Sequence, residues 1–345
     1  MSTEATRNEA DPGNEAGPRN EAGRSNDADG VDLHLHSHHS DGVLTPTQVV
    51  DLAAAGGVRL LALTDHDTIA GLDETRTQAT GHGIITVPGV ELSATWNAQT
   101  VHVLGFDFDT GNAALQKYLT AVQEQRRERL REIGRRFDRK RIAVGPGAAS
   151  KHGVTSEHGA GSGHGAGSAP GVAATPTAAG QISAIQLVAD IESKHSVVTR
   201  THLARALVAA GAARSIGEAF KRFLGRGAPG HVGSTYPSLA DAVACLKAAG
   251  GIAVLAHPLR YTLSAGARRK MLEEFRAAGG SGIEVVCGNA RAHIDGLAQL
   301  ARRFGLDGSV GSDFHDPQIP WNPPGRLAKL PASVSPVWRH FRLPN

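Results

Sequence analysis

The sequence predicts an α/β fold in which a parallel sheet or barrel built from βα repeats is interrupted by a helical insertion. Three observations carry that prediction. Short β-rich runs alternate with amphipathic helical runs over most of the 345 residues. Clusters of His, Asp and Glu recur where the β-rich runs end, and the C-terminal rim of parallel strands is where barrels assemble their sites. Between the fourth and fifth expected strands the alternation stops, and residues 107–235 read as helix. The expected organisation is a leader at 1–30, a barrel from 31–106 and 236–345, and the insertion between them.

Residues 1–30 repeat RNEA, hold three Arg against seven Asp and Glu, and offer few large apolar groups, so burial would not offset the entropy of ordering them. A disordered leader is expected. The first strand, Val31 to His36, opens VDLHLHSHHSDG. Alternation puts Asp32, His34 and His36 on one face and Leu33 and Leu35 on the other, so two imidazoles are offered to one ion. A helix follows at LTPTQVVDLAAAGG, with Thr45 as N-cap, Pro46 at the first helical position and Gly56 as terminator.

Strand two, Leu60 to His66, ends in TDHD; strand three, Ile84 to Leu92, ends in PGVE; strand four, Thr100 to Phe106, carries His102 nearer its start. The insertion includes LQKYLTAVQEQRRERLREIGRRF and THLARALVAAGAARSIGEAFKRFLG. Between them, residues 145–180 are over half Gly and Ala without helical or strand period. That stretch reads as a flexible excursion remote from the chemistry, and its His152, His158 and His164 lack a carboxylate placed to help them hold a metal. Strand five, Gly251 to Pro258, ends in LAHP; strand six is Gly282 to Val286; strand seven, Asp307 to His315, ends in GSDFH.

Cys245 and Cys287 stand far apart with no CxxC pattern, which points to buried thiols. No apolar run approaches the roughly 20 residues that span a bilayer, and the leader lacks the features of a signal peptide, so a soluble cytoplasmic protein is expected. The net charge of +3 is unevenly spread: residues 117–141 hold ten Lys and Arg against four acids. Arg126 and Arg129, three apart, share a helix face that either clamps one phosphate or is simply solvated.

Histidine, aspartate and glutamate without cysteine suit Zn²⁺, Mn²⁺ or Fe²⁺. These clusters hold more ligands than the roughly four to six positions of one ion, so two or three ions are expected.

The motif series DxHxH, TDHD, GVE, HVLGF, AHP and SDFH resembles the PHP (polymerase and histidinol phosphatase) superfamily, whose fold is a distorted (β/α)7 barrel with a trinuclear metal site. More closely, TRTHLARALV, AFKRFLGRG, VLAHPLRYTLS and GSDFH resemble the branch of 3′,5′-nucleoside bisphosphate phosphatases and 5′-to-3′ exoribonucleases, over residues 31–340. The resemblance implies three divalent ions, Mn²⁺ foremost, with Zn²⁺ or Fe²⁺ as alternatives. His34, His36, Glu91 and Asp313 would hold one; Glu91 would bridge to a second on His102 and His257; Asp41, His66 and His315 would hold the third. Asp32 and Asp65 would orient ligand imidazoles, while His38 and His39 match no ligand position. Arg126 and Arg129 would grip a phosphate that is not cleaved, with Arg200, His202 and Lys221 as weaker candidates for the same pocket. The implied substrates are nucleoside bisphosphates or short 5′-phosphorylated RNA, with no obligate protein partner. Another small phosphomonoester such as histidinol phosphate, or a noncatalytic metal-stabilised module, are the competing readings.

Overall fold

The computed structural model describes residues 29–142, 144, 183–233, 235–288, 291–319 and 322–343. The leader through residue 28 and the Gly/Ala-rich 145–180 stretch lie outside the described residues. In chain order the elements are β1 (Val31–Leu35), α1 (Pro46–Ala55), β2 (Leu60–Leu63), α2 (Leu72–Gly81), β3 (Ile85–Thr86), β4 (Gly89–Trp96) and β5 (Gln99–Phe106). The inserted helices follow: α3 (Ala113–Arg139), α4 (Ala184–Lys194), α5 (Arg200–Ala209), α6 (Ile216–Ala219) and a π-helical turn, Phe220–Leu224. The chain then completes α7 (Leu239–Ala248), β6 (Ile252–Leu255), α8 (Ala265–Ala277), β7 (Gly282–Cys287), α9 (Ile294–Phe304) and β8 (Asp307–Gly311).

The first helix begins as its sequence dictates. Thr45 caps it, Pro46 occupies its first turn, and Gln48 reaches back to the cap to complete a capping box.

The sheet departs from the expected all-parallel repeat. β1, β2 and β3 are parallel, and so are β6, β7 and β8, but β5 runs antiparallel to both β4 and β6. The expected third strand breaks at Pro88, which has no N–H for a ladder, into the short β3 and the longer β4. β4 then folds directly onto β5 through Asn97 and Ala98, both left-handed at φ 47° and 58°, as a two-residue hairpin turn requires. Glu91 is therefore the third residue of β4, not the last of a strand. Parallel bridges Leu35–Phe314 and His66–Glu91 join the two sheets at both seams and close the barrel.

The insertion has its own apolar core, including Leu130, Ile133, Phe137, Val188, Leu203 and Leu207. The 27-residue α3, about 40 Å long, joins it to the barrel: Leu115, Tyr118, Leu119 and Val122 pack in the barrel core, and the later apolar positions pack in the insertion. Arg126 and Arg129 fall at the changeover, both buried. The positive charge expected along this helix is largely neutralised on its outer face, where Arg131, Arg135, Arg136 and Arg139 pair with Glu124, Glu128, Glu132 and Glu192. No described helix is long and apolar enough to cross a membrane.

Candidate metal centre and anion pocket

β1 delivers His34 and His36 side by side into the barrel mouth, both fully buried. The Nε2 atom of each lies 3.3–3.4 Å from Glu91 Oε2 and 3.3 Å from Asp313 Oδ1. The other Glu91 oxygen faces His102 at 2.9 Å and His257 at 3.0 Å. Asp41 Oδ1 lies 3.2 Å from His315 and 3.8 Å from His66. All the expected ligands thus fall in one connected set; His34, His36, His66 and Glu91 each belong to two of its groups, with His257 beside His34 and Glu91, and His102 beside His66 and Glu91.

Several buried polar atoms in this set make no well-directed hydrogen bond: Nε2 of His34 and His36, Oδ1 of Asp41, and Nδ1 of His66 and Oε2 of Glu91, which lie 2.9 Å apart. Unsatisfied donors and acceptors of this kind are costly unless something binds them. Imidazole and carboxylate without thiolate is the donor chemistry of Zn²⁺, Mn²⁺ and Fe²⁺, so these residues fit divalent ions. Mutual electrostatics reinforce the fit. Burial alone would raise the carboxyls of Glu91, Asp41 and Asp313, but the surrounding imidazoles hold them well below the usual range. Burial pushes His102 down to about 4; on His36 it is outweighed by Asp313 and Glu91, which lift that imidazole to about 9.

Three site residues, Asp67, His257 and Asp313, have positive φ of 50°, 28° and 52°. Such backbone costs on the order of 1–3 kcal/mol each and persists only where its surroundings fix it. Pairing of Asp313 N with His34 O at 2.8 Å, and of Asp67 N with Glu91 O at 3.0 Å, supplies part of that constraint.

Neither Asp32 nor Asp65 bonds directly to an imidazole among the described residues; Asp65 reaches His36 only through the Ser40 hydroxyl. Asp32 accepts from the backbone N–H of Ser312 at 2.9 Å, and burial raises its carboxyl to about 6. Asp65 accepts from Ser37 N and from the hydroxyls of Ser37 and Ser40, so it fixes the loop after β1. The carboxylate that does reach an imidazole is Glu284 of β7, 2.9 Å from His34 Nδ1, which sequence reasoning missed. Its only signal is an acidic residue inside the apolar run GIEVV. Arg260 was missed as well; three residues after His257, it is half-exposed and ion-paired with Asp313.

Beside the cluster lies a cavity of about 120 Å³, bounded by Asp41, His66 and His102 on one side and by Arg126, Arg129 and Arg200 on the other. Arg126 donates to Asp67 at 2.5 Å and to Ser93 Oγ at 2.7 Å. Arg129 donates to Val232 O at 2.8 Å, and both guanidiniums lie 5.7 Å from the Tyr236 ring. Arg200 forms no ion pair among the described residues; burial, then Arg129, lowers it to about 10. His202 and Lys221 do not line the cavity. His202 instead caps α5, accepting from Thr199 N through Nδ1 at 3.1 Å, and Lys221 is exposed on the π-helical turn.

An α/β barrel with a buried histidine–carboxylate cluster beside an arginine-lined anion pocket defines a metal-dependent phosphoric ester hydrolase. The chain belongs to the PHP domain family, whose model matches residues 32–143. It is 38% identical over 311 residues to a 5′-3′ exoribonuclease of Haemophilus influenzae, covering 90% of this chain and 98% of that protein. It is 37% identical over 312 residues to a 3′,5′-nucleoside bisphosphate phosphatase of Chromobacterium violaceum, covering 90% and 96%. A solved structure of an amidohydrolase from Chromobacterium violaceum, with bound sulfate and no metal, aligns with a TM-score of 0.72 at 35% identity, covering 90% of this chain and 95% of that one.

Proposed function

We propose that this protein is a cytoplasmic phosphoesterase that hydrolyses the 3′-phosphate of 3′,5′-nucleoside bisphosphates and releases 5′-nucleotides from short 5′-phosphorylated RNA. The observation that carries the reading is the continuity of one cavity from the ligand cluster to three arginines. Three ions are assigned, with Mn²⁺ preferred over Zn²⁺ or Fe²⁺. His34, His36, Glu91 and Asp313 would hold the first, Glu91, His102 and His257 the second, and Asp41, His66 and His315 the third. When bound, such ions supply Lewis-acid activation of water and neutralise phosphoryl charge.

The chain's own residues set which phosphorus is presented. Arg200, with Arg126 and Arg129, grips the 5′-phosphate, so the 3′-phosphorus of the same nucleotide lies over the cluster. Cleavage of its bond to O3′ leaves a 5′-nucleotide in both cases. The other product is phosphate from a bisphosphate, or from RNA a shortened chain with a new 5′-phosphate. That new end is again a substrate, which accounts for 5′-to-3′ direction with a single pocket. A small monophosphate such as histidinol phosphate has no second anion for the arginines, and a noncatalytic module needs neither them nor a complete ligand set.

The test is a substrate panel on protein purified without chelator, with bound metal measured in parallel. Bisphosphate and 5′-phosphorylated RNA turnover that disappears on chelation and returns with Mn²⁺ is the expected result. Turnover that survives exhaustive chelation would overturn the reading.

A further inference from the structure

We propose that Glu284 is a positioning residue that orients one ligand of each of two neighbouring ions and so couples their binding; this rests on the metal-centre reading above. Glu284 is fully buried in β7 and belongs to none of the candidate ligand groups. No Lys or Arg forms an ion pair with it among the described residues, and its hydrogen bonds run to His34 and His257. Its two oxygens have separate tasks.

Oε1 lies 2.9 Å from His34 Nδ1. A carboxylate only accepts, so this contact keeps the proton on Nδ1 and leaves the Nε2 lone pair facing Glu91 and Asp313. Oε2 accepts the backbone N–H of His257 at 2.7 Å. His257 sits at φ 28°, a conformation few residues other than glycine adopt, and this bond helps to hold it there. His34 lies on β1 and His257 two residues beyond β6, and they would serve the first and second ions. Their rings lie 5.7 Å apart, Glu91 faces the Nε2 atom of each, and Glu284 bonds to His34 Nδ1 and to the His257 backbone N–H.

The neighbouring strand is built around this contact. A Cβ at Gly311 of β8 would come within 2.2 Å of His34 Cβ and 2.7 Å of Glu284 Oε1. The absence of a side chain there lets the carboxylate and the imidazole meet.

Glu284→Gln has nearly the same shape but presents one oxygen and one NH₂, so it cannot accept from both donors. The experiment titrates the chelated full-length protein with Mn²⁺, counts bound ions, and records ¹⁵N NMR of the histidine rings. The expected outcome is about 10–100-fold weaker Mn²⁺ binding at two of the ions, with the ion on Asp41, His66 and His315 retained. The His34 ring should lose its fixed Nδ1–H signature, while the melting temperature in chelator stays near wild type. Glu284→Asp keeps the charge but shortens the reach; it should show the same two-ion loss, and it decides the matter if the Gln variant does not fold. Wild-type Mn²⁺ affinity in either variant overturns the proposal. So does loss of all ions together with a lower melting temperature in chelator, which marks a structural residue. A wild-type protein that binds no Mn²⁺ would instead overturn the metal-centre reading on which the proposal rests.

Discussion

Replacing Arg200 with Ala separates recognition of the 5′-phosphate from everything else in the cavity. Arg200 is the arginine whose role is least entangled with the fold: it has no ion pair among the described residues and rests against Phe220, 5.6 Å from the ring centroid. A hydrogen bond to a charged group contributes about 1.5–3 kcal/mol, which corresponds to roughly 10- to 150-fold in kcat/KM if one such bond is lost. The loss is expected on a 3′,5′-bisphosphate and on 5′-phosphorylated RNA, and should be small on a nucleoside 3′-monophosphate. Metal content and melting temperature should not change. Arg126→Ala is the contrasting variant. It strands the fully buried Asp67 without its guanidinium, and breaking a buried pair costs on the order of 3–5 kcal/mol of stability. That variant should melt earlier and lose activity on every substrate. Steady-state kinetics on the three substrates, with melting curves, provide the assay. An equal loss on the bisphosphate and the 3′-monophosphate in Arg200→Ala would show that Arg200 supports the fold or the cluster, and the pocket would not be a 5′-phosphate reader.

Acid should weaken the insertion through His202. Burial, then the stacked His195, lowers His202 to about 4, against 6.5 when free. The unfolded chain therefore binds the extra proton first, so the contribution is full above pH 6.5 and is lost as pH falls toward 4. At about 1.36 kcal/mol per pH unit of separation, it reaches at most about 3 kcal/mol. His202→Gln keeps a capping side chain at the same position and should flatten stability over that window; an unchanged profile by urea unfolding would exclude His202 as its source. Gly311→Ala should cost about 1–3 kcal/mol by overpacking and lower bound metal, because the added methyl meets His34 and Glu284. Normal metal content and melting in that variant would show that β8 shifts freely.

The His, Asp and Glu clusters were legible because their rules are local, while their division among ions came from the family resemblance. DLHLH places two imidazoles on one face by strand alternation, and His66, His257, Asp313 and His315 stand just beyond strand ends, whereas Glu91 and His102 lie within β4 and β5. The capped start at Thr45–Pro46 was legible for the same reason. Contacts that join distant strands were not. Glu284 looks like one polar residue in an apolar run until β7 and β1 are brought together, 250 positions apart. The resemblance makes Asp32 and Asp65 ligand-orienting carboxylates, yet the fold brings Ser312 N to Asp32 and the Ser37 and Ser40 hydroxyls to Asp65, contacts that spacing along the chain does not show. The β4–β5 hairpin escaped notice because Asn97-Ala98 lacks the glycine that usually marks such a turn. Spacing on one helix suggested the pair Arg126 and Arg129, but it could not show that Asp67, 59 positions away, already holds Arg126, or that Arg200 enters from α5 with its charge uncompensated.

The division between Arg126 and Arg200 bears on how the proposed reader is registered to the cluster. Discriminating a 5′-phosphate at one end of a nucleotide from the phosphorus attacked at the other requires a fixed distance between clamp and cluster, and the clamp belongs to an insertion with its own core. The connection runs through α3 and Asp67. Asp67 follows the candidate ligand His66 by one residue, accepts from Ser93 N of β4 at 2.7 Å, and holds Arg126. Gln123, one turn earlier on α3, donates to Asp67 O at 2.8 Å. The helix that carries the arginines is thereby bonded to the strand end that carries a ligand, and β4, which carries Glu91, is bonded to the same residue. Buried charged hydrogen bonds of this kind resist displacement far more than the exposed ion pairs along the outer face of α3. Arg126 thus fixes where the insertion sits, and Arg200 remains the guanidinium with charge to spare for an incoming anion.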